Sequence, residues 1–143
     1  MADTFQLEIA TPERLLVDEQ VTSAEVPGLN GYMGILAGHA PLMSALGPGV
    51  LSYEGGGGGP HVYAISGGFL EISENHVRVL ADDAEAAQDI QVEKARQQLD
   101  AANRDLQQAK DTDESERALR AVQHAQARID AAERGRSSSA AVH

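Results

Sequence analysis

The sequence predicts an α+β chain, an N-terminal β-sandwich or flattened barrel followed by a C-terminal antiparallel αα-hairpin. Three observations predict it. Apolar residues recur at period two in short runs through the first half, and Gly- and Pro-containing breaks separate those runs. From Asp89 onward the period changes to a heptad spacing, interrupted once.

Phe5, Leu7 and Ile9 alternate with Gln6 and Glu8, as a half-buried strand does. Leu15 to Val17 and Val21 to Val26 give two short runs around Asp18-Glu19. Val50 to Tyr53 and Val62 to Ile65 flank the five glycines Gly55 to Gly59, a flexible hairpin connection. Phe69 to Ile72 and Val77 to Ala81 flank Ser73-Glu74-Asn75, a hairpin-turn composition. Pro27-Gly28 and Gly47-Pro48-Gly49 are breaks, and Gly67-Gly68 inside an apolar run signals a bulge or a close backbone approach. Many short strands at close spacing make this half all-β.

In the second half Val92, Ala95, Leu99, Ala102, Leu106 and Ala109 form one helical seam. Ala118, Val122, Ala125, Ile129 and Ala132 form another. Asp89 is the expected N-cap of the first helix. Asp113, with Glu116 three residues on, is the expected capping box of the second. Gly135 is expected to end that helix at C′. The short connection at Lys110-Asp111-Thr112 forces the helices antiparallel. The expected organisation is therefore a sandwich over 1–88, joined through Asp82 to Gln88, a hairpin over 89–135 and a disordered tail over 136–143. About half of the seam is Ala, and each Ala buries roughly one methyl, about 0.8 kcal/mol against ~1.5–3 for a buried Leu or Ile. Such a hairpin suits exchange between partner surfaces, although a permanently docked hairpin fits the same pattern.

Charge and composition exclude several functions. The chain has no cysteine, hence no disulfide, thiolate metal site or Cys nucleophile. Residues 1–88 carry Arg14 and Arg78 against twelve acids, and residues 89–143 carry nine cations against ten. A first half this acidic is repelled by phosphate backbones and anionic lipid, which disfavours nucleic acid and direct membrane binding. No apolar run approaches the ~20 residues of a membrane span, and the first residues have the pattern of neither a secretory signal nor a transit peptide. Ser66, in Ala64-Ile65-Ser66-Gly67-Gly68, superficially matches a nucleophile elbow, but strand rather than helix follows it. The five glycines lack the Lys and helix of a phosphate loop, and the five histidines show no metal-ligand spacing. Neither catalysis nor a metal or other cofactor is expected.

The stretch from Val26 to Leu42 is punctuated by Gly and Pro yet carries Leu29, Tyr32, Met33 and Leu36. It reads as a contact surface or as a connection folded over the core. Its run Val26-Pro27-Gly28, Gly31, Gly34-Ile35-Leu36 and Gly38-His39-Ala40-Pro41-Leu42 resembles the signature of bacterial ATP synthase epsilon subunits. So do Leu46-Gly47-Pro48-Gly49 and Gly67-Gly68-Phe69-Leu70-Glu71-Ile72. Asn75 to Ala81, Ala84-Glu85 and Asp89-Ile90 match that family's domain junction. The likeness runs over roughly residues 4 to 134.

The resemblance implies a ten-stranded sandwich that binds the gamma subunit and sits on the polar loops of the c-ring. The hairpin would lie folded on the sandwich or extend along gamma towards the alpha and beta subunits, restraining ATP hydrolysis. It also implies a non-catalytic rotor subunit, peripheral on the cytoplasmic face of the bacterial inner membrane. The implied partner-binding residues are Leu29, Asn30, Gly31, Tyr32, Met33, His39 and Pro41. Asn30 and Tyr32 stand where members often carry acids. Some bacterial members bind ATP at the start of the first helix, where this chain has Ile90-Gln91-Val92-Glu93-Lys94-Ala95. Gln91 replaces Asp and Lys94 replaces Arg, which weighs against nucleotide binding because Lys lacks the planar fork of Arg. Arg128 could still contribute charge. Apart from the resemblance, the same elements suit a stand-alone adaptor presenting a helical hairpin to a helical partner.

Overall fold

The computed structural model describes residues 3–57 and 61–141, with side chains described as far as Arg136. The strands are β1 (Phe5–Ala10), β2 (Leu15–Gly28), β3 (Gly31–Leu36), β4 (Leu42–Leu46), β5 (Gly49–Gly55), β6 (His61–Ile65), β7 (Gly68–Ser73), β8 (His76–Ala81) and β9 (Ala84–Ala86). A single 3-10 turn, Ala87–Asp89, leads to helices α1 (Val92–Gln108) and α2 (Thr112–Ala141). The α+β class is as expected, with nine strands among the described residues where the resemblance implies ten.

The strands pair in the order β1-β8-β7-β4-β2-β5-β6-β9, β3 lies on β2, and a β1–β2 ladder closes the sheet on itself. Only β1–β8 is parallel; the other pairs are antiparallel. Closure follows from the length of β2, whose 14 residues pair with β1 at one end and with β3, β4 and β5 towards the other. The core inside is apolar and mostly aliphatic, with Phe5, Leu7, Ile9, Val21, Leu51, Ile65 and Leu70 almost wholly buried.

Three expectations in this half change. Leu15–Val17 and Val21–Val26 are one strand, because Asp18, Glu19 and Gln20 keep pairing with β1. Glu19 is tolerated at the barrel end because the Tyr53 hydroxyl donates to its carboxylate at 3.1 Å. The Val26–Leu42 stretch is not a loop. It holds the β2–β3 hairpin, with Gly28 opposite Gly31 around Leu29-Asn30. The Asp82–Gln88 linker contributes β9, which pairs Ala84, Glu85 and Ala86 with β6. The glycine connection is left-handed at Gly55, Gly56 and Gly57, and its remainder, Gly58 to Pro60, lies outside the described residues.

One turn and one close backbone approach appear as the composition indicates. Glu74 and Asn75 both have positive φ, the two-residue turn whose twist suits a hairpin. Gly68, at φ +145°, admits no side chain, since a Cβ there would overlap the Leu80 carbonyl.

Outside the barrel, a second apolar cluster joins Val50, Val62 and Ala64 of β5 and β6 to Ala87, Ile90, Ala131 and Ala132. The helical hairpin therefore covers the outer face of β5 and β6, which are buried on both sides. Between the helices, Ala95, Ala102, Ala118, Ala125, Ile129 and Ala132 are buried. Val92, Leu99, Leu106, Ala109 and Val122 are half-buried.

The helix ends differ from the sequence reading. Asp89 belongs to the 3-10 turn, and Gln91 caps α1 with no side-chain bond. The cap of α2 is Asp111, two residues before the expected one. Its carboxylate accepts the Glu114 N–H at 2.8 Å, while Glu114 accepts the Lys110 N–H at 2.8 Å. This reciprocal pair works two residues earlier because Thr112 already has helical geometry. Nor does Gly135 end α2, which continues to Ala141, so most of the expected tail is helical and only Val142 and His143 lie outside the described residues. Gly135 is present because the helix passes very close to Ala87; a Cβ at Gly135 would stand 2.6 Å from the Ala87 Cβ.

That contact is testable. Gly135→Ala should favour the isolated helix by about 1 kcal/mol, yet push α2 off the sheet. Hydrogen exchange of the α1 and α2 amides should therefore quicken in Gly135→Ala and slow again when Ala87→Gly is added. Unchanged exchange in the single variant would mean that the close approach does not hold the hairpin.

Candidate functional site

Three features of the surface could engage other molecules, and each follows from strand register or helix period. The first is the outer face of β4, β7, β8 and β1. Successive strand residues alternate sides, so one member of each adjacent apolar pair must face water. Leu70 and Val79 point inward, leaving Phe69 63% and Leu80 51% exposed. Register places Ala45, Phe69, Leu80, Ala10 and Leu15 in one row across five strands. Met43, 76% exposed, stands beside it opposite Glu71.

The next row is charged. Arg78 donates to Glu8 at 2.8 Å and to Glu71 at 3.5 Å, and His76 lies 3.3 Å from Glu8. The hydrogen bond from Arg78 holds the Glu8 carboxyl below the usual carboxylate range. The network is exposed and adds little stability, but it fixes a charged border along an apolar strip.

The second feature is the β2–β3 tip, where Leu29, Asn30, Gly31 and Tyr32 are exposed. The Tyr32 hydroxyl accepts the Val50 N–H at 3.0 Å, laying the ring back over β5. Between this tip and α2 runs a groove of about 500 Å³ lined by Leu29, Tyr32, Pro48, Val122, Ala127 and Asp130. Met33 is half-buried against Gly28. His39 and Pro41 lie past the far end of β3, roughly 20 Å of extended chain from Tyr32. There His39 Nδ1–H donates to the Ala40 carbonyl at 2.7 Å. The seven residues expected to bind the c-ring or gamma thus divide between two ends of the hairpin.

The third feature is the latch between α2 and the sandwich. Arg128 donates to both carboxylate oxygens of Glu85 on β9, at 2.9 and 3.4 Å, and to Gln98 of α1 at 2.8 Å. One guanidinium therefore ties together both helices and the sheet. Arg134 reaches Ser52 at 3.2 Å and stands 4.0 Å from Glu25. Burial pushes the His124 imidazole below its ordinary range, with Arg128 acting in the same direction and Asp83 and Glu85 opposing.

The beta-sandwich domain of the ATP synthase delta/epsilon chain family matches residues 4–87. The "ATP synthase epsilon chain" of Solibacter usitatus (strain Ellin6076) is 49% identical over 135 residues, spanning 94% of this chain and 99% of the relative. This chain belongs to the ATP synthase epsilon chain family. The epsilon chain of Nitratidesulfovibrio vulgaris (strain DP4) is 43% identical over 129 residues, 90% of this chain and 96% of that one. Among solved structures, a chain of the Euglena gracilis mitochondrial ATP synthase, in an OSCP/F1/c-ring assembly, superposes with a TM-score of 0.78. It is 26% identical, and the match covers all of this chain and 84% of that one. A Tetrahymena thermophila mitochondrial ATP synthase chain shares the fold, with a TM-score of 0.58 at 14% identity.

An epsilon chain is a non-catalytic subunit of ATP synthase, and the residues with superficial catalytic spacing agree. Ser66 leads directly into β7, with its N–H bonded to the Asp83 carbonyl at 3.1 Å. Among the described residues no cluster could hold a metal ion, and no helix is long and apolar enough to cross a membrane. The four residues considered for nucleotide binding are differently employed. Ile90 is buried in the apolar cluster under α2, Gln91 and Lys94 face solvent, and Arg128 is engaged by Glu85 and Gln98.

The sequence reading missed the apolar strip and the second face of α2. The first was legible in the adjacent pairs Phe69-Leu70 and Val79-Leu80, because a strand cannot bury both members on one side. The second was legible in His124, Arg128, Ala131 and Gly135, whose spacings of 4, 3 and 4 run beside the seam.

If Arg128 joins the three elements, a double-mutant cycle of Arg128→Ala and Glu85→Ala should show a coupling of about 1 kcal/mol in denaturant unfolding. Losses adding to within about 0.3 kcal/mol would show that the pair does not act together.

Proposed function

We propose that this chain is a central-stalk rotor subunit of a bacterial proton-driven ATP synthase, coupling proton flow to ATP synthesis while its hairpin restrains ATP hydrolysis. One observation carries this reading: a well-packed barrel holds a helical hairpin through alanines and a glycine. In the barrel, the largest buried groups are Phe, Leu and Ile. At the docking contact α2 itself contributes Ala131 and Ala132, with Gly135 alongside, against Val50, Val62 and Ala64 of the sheet and Ile90. The barrel can therefore stay folded while the hairpin leaves it.

The surfaces suit separate partners. The Leu15, Met43, Phe69 and Leu80 strip is flat, apolar and bordered by charge, as a permanent contact requires, and we assign it to the gamma shaft. The Leu29 to Met33 tip is compact and mixed in polarity, which suits the short polar loops of a c-ring. Tyr32 supplies an aromatic body with a hydroxyl where a carboxylate is common in the family. A released α2 of 30 residues would reach about 45 Å, enough to contact the alpha and beta subunits. The chain would then be peripheral, on the cytoplasmic face of the inner membrane, held there by other subunits. The engagement of Arg128 by Glu85 favours a docked hairpin secured by protein contacts over one clamped by ATP.

Deleting residues 89–143 should raise the rate of ATP hydrolysis by the assembled complex several-fold while leaving the chain bound. An unchanged rate would remove the restraint from the proposal and leave coupling intact. Phe69→Ser combined with Leu80→Ser should weaken binding to gamma at least tenfold. Because both side chains are mostly exposed, the stability of the free chain should shift by less than about 1 kcal/mol. Retained gamma binding would place the shaft contact elsewhere.

A further inference from the structure

His124 lies one turn before Arg128, on the face of α2 that carries Arg128 to Glu85 of β9, and is half-buried. The charged groups acting on it are Asp83 and Glu85 from that segment and Arg128 from its own helix. Helix α1 supplies neutral Gln98 beside Arg128, and none of its charged residues acts on the ring. The two acids do not compensate for burial, because both oxygens of Glu85 already accept from Arg128. Among the described residues no hydrogen bond reaches the imidazole. A neutral ring suits this place, whereas a charged one would be desolvated beside a guanidinium.

We propose that protonation of His124 releases the α1–α2 hairpin from the β5–β6 face, so that docking weakens as the medium turns mildly acidic. Once released, the ring is hydrated and titrates at the ordinary imidazole value of about 6.5. The docked ring holds its proton less tightly. Its contribution to docking is therefore complete above the released-state value, declines as pH falls through it, and is lost below the docked-state value. The small seam makes this effective, since a modest change in free energy moves a weakly held element. His39, His61 and His76 sit in the barrel, not on the hairpin. The functional consequence rests on the restraint reading: acidification would free the hairpin to act on the catalytic subunits.

The chain lacks cysteine, so Glu13→Cys and Gln107→Cys, both at exposed positions, permit clean attachment of a fluorescent pair to the full chain. Energy transfer should fall as pH is lowered from about 7.5 to about 5.5. It should stay flat when His124→Gln is added. Equal titration in both proteins, or none in either, overturns the proposal. Should His124→Gln fail to dock at neutral pH, the ring resonances of His124 in the unsubstituted chain decide. An inflection below the ordinary imidazole range supports the switch, and one at or above it overturns it. Hydrolysis by the assembled complex, followed over the same pH range, separates the two readings. Release without slower hydrolysis sustains the switch and overturns the restraint.

Discussion

The contact between α2 and the outer face of β5 and β6 is the constraint on which the remaining architecture depends. Val50, Val62 and Ala64 would be exposed on an open barrel, and Ala87, Ile90, Ala131 and Ala132 close over them. Each alanine adds about 0.8 kcal/mol of apolar burial, where a leucine in the barrel adds ~1.5–3. Side-chain size thus divides the chain into a part held strongly and a part held weakly. Gly135 carries the same logic further, because the helix can lie against Ala87 only without a side chain. Close approach through small groups gives a well-defined docked position without deep burial.

Charge reinforces that division. The barrel is strongly acidic, and one of its two cations, Arg78, is already shared between Glu8 and Glu71. The cations of the second half are the natural counterparts, and α2 directs Arg128 to Glu85 and Arg134 towards Glu25. The uneven charge of the two halves, which solubility alone could explain, therefore also serves docking. These pairs are partly exposed, so they orient the hairpin more than they anchor it. The same electrostatic setting isolates His124, whose nearest acids are offset by Arg128 and by burial.

The barrel leaves its apolar strip on the strands the helices do not cover. Phe69, Leu80, Met43 and Leu15 remain outside because the inner positions of their strands are filled by Leu70, Val79 and Ile9. A partner on this face and a hairpin on the other occupy different strands. A partner bound to the strip would therefore leave the face under the hairpin uncovered by that contact.

By itself the sequence determined the class of each half. Period two in Phe5, Leu7 and Ile9, and heptad spacing from Val92 to Ala109, are local properties that burial on one side imposes on any strand or helix. The Glu74-Asn75 turn was legible for the same reason, since its backbone requirement falls on those residues alone. Tertiary structure decided the rest. Asp18 to Gln20 became strand because β1 lay alongside, β3 emerged from an apparent loop because β2 was there to pair with it, and Ala84 to Ala86 became β9 against β6. Gly135 read as a helix end because local rules place glycine there, and only the neighbouring Ala87 explains its place inside α2. Strand pairing and helix docking are satisfied by residues distant in the chain, so one segment's pattern fixes which side is apolar but not what comes to cover it.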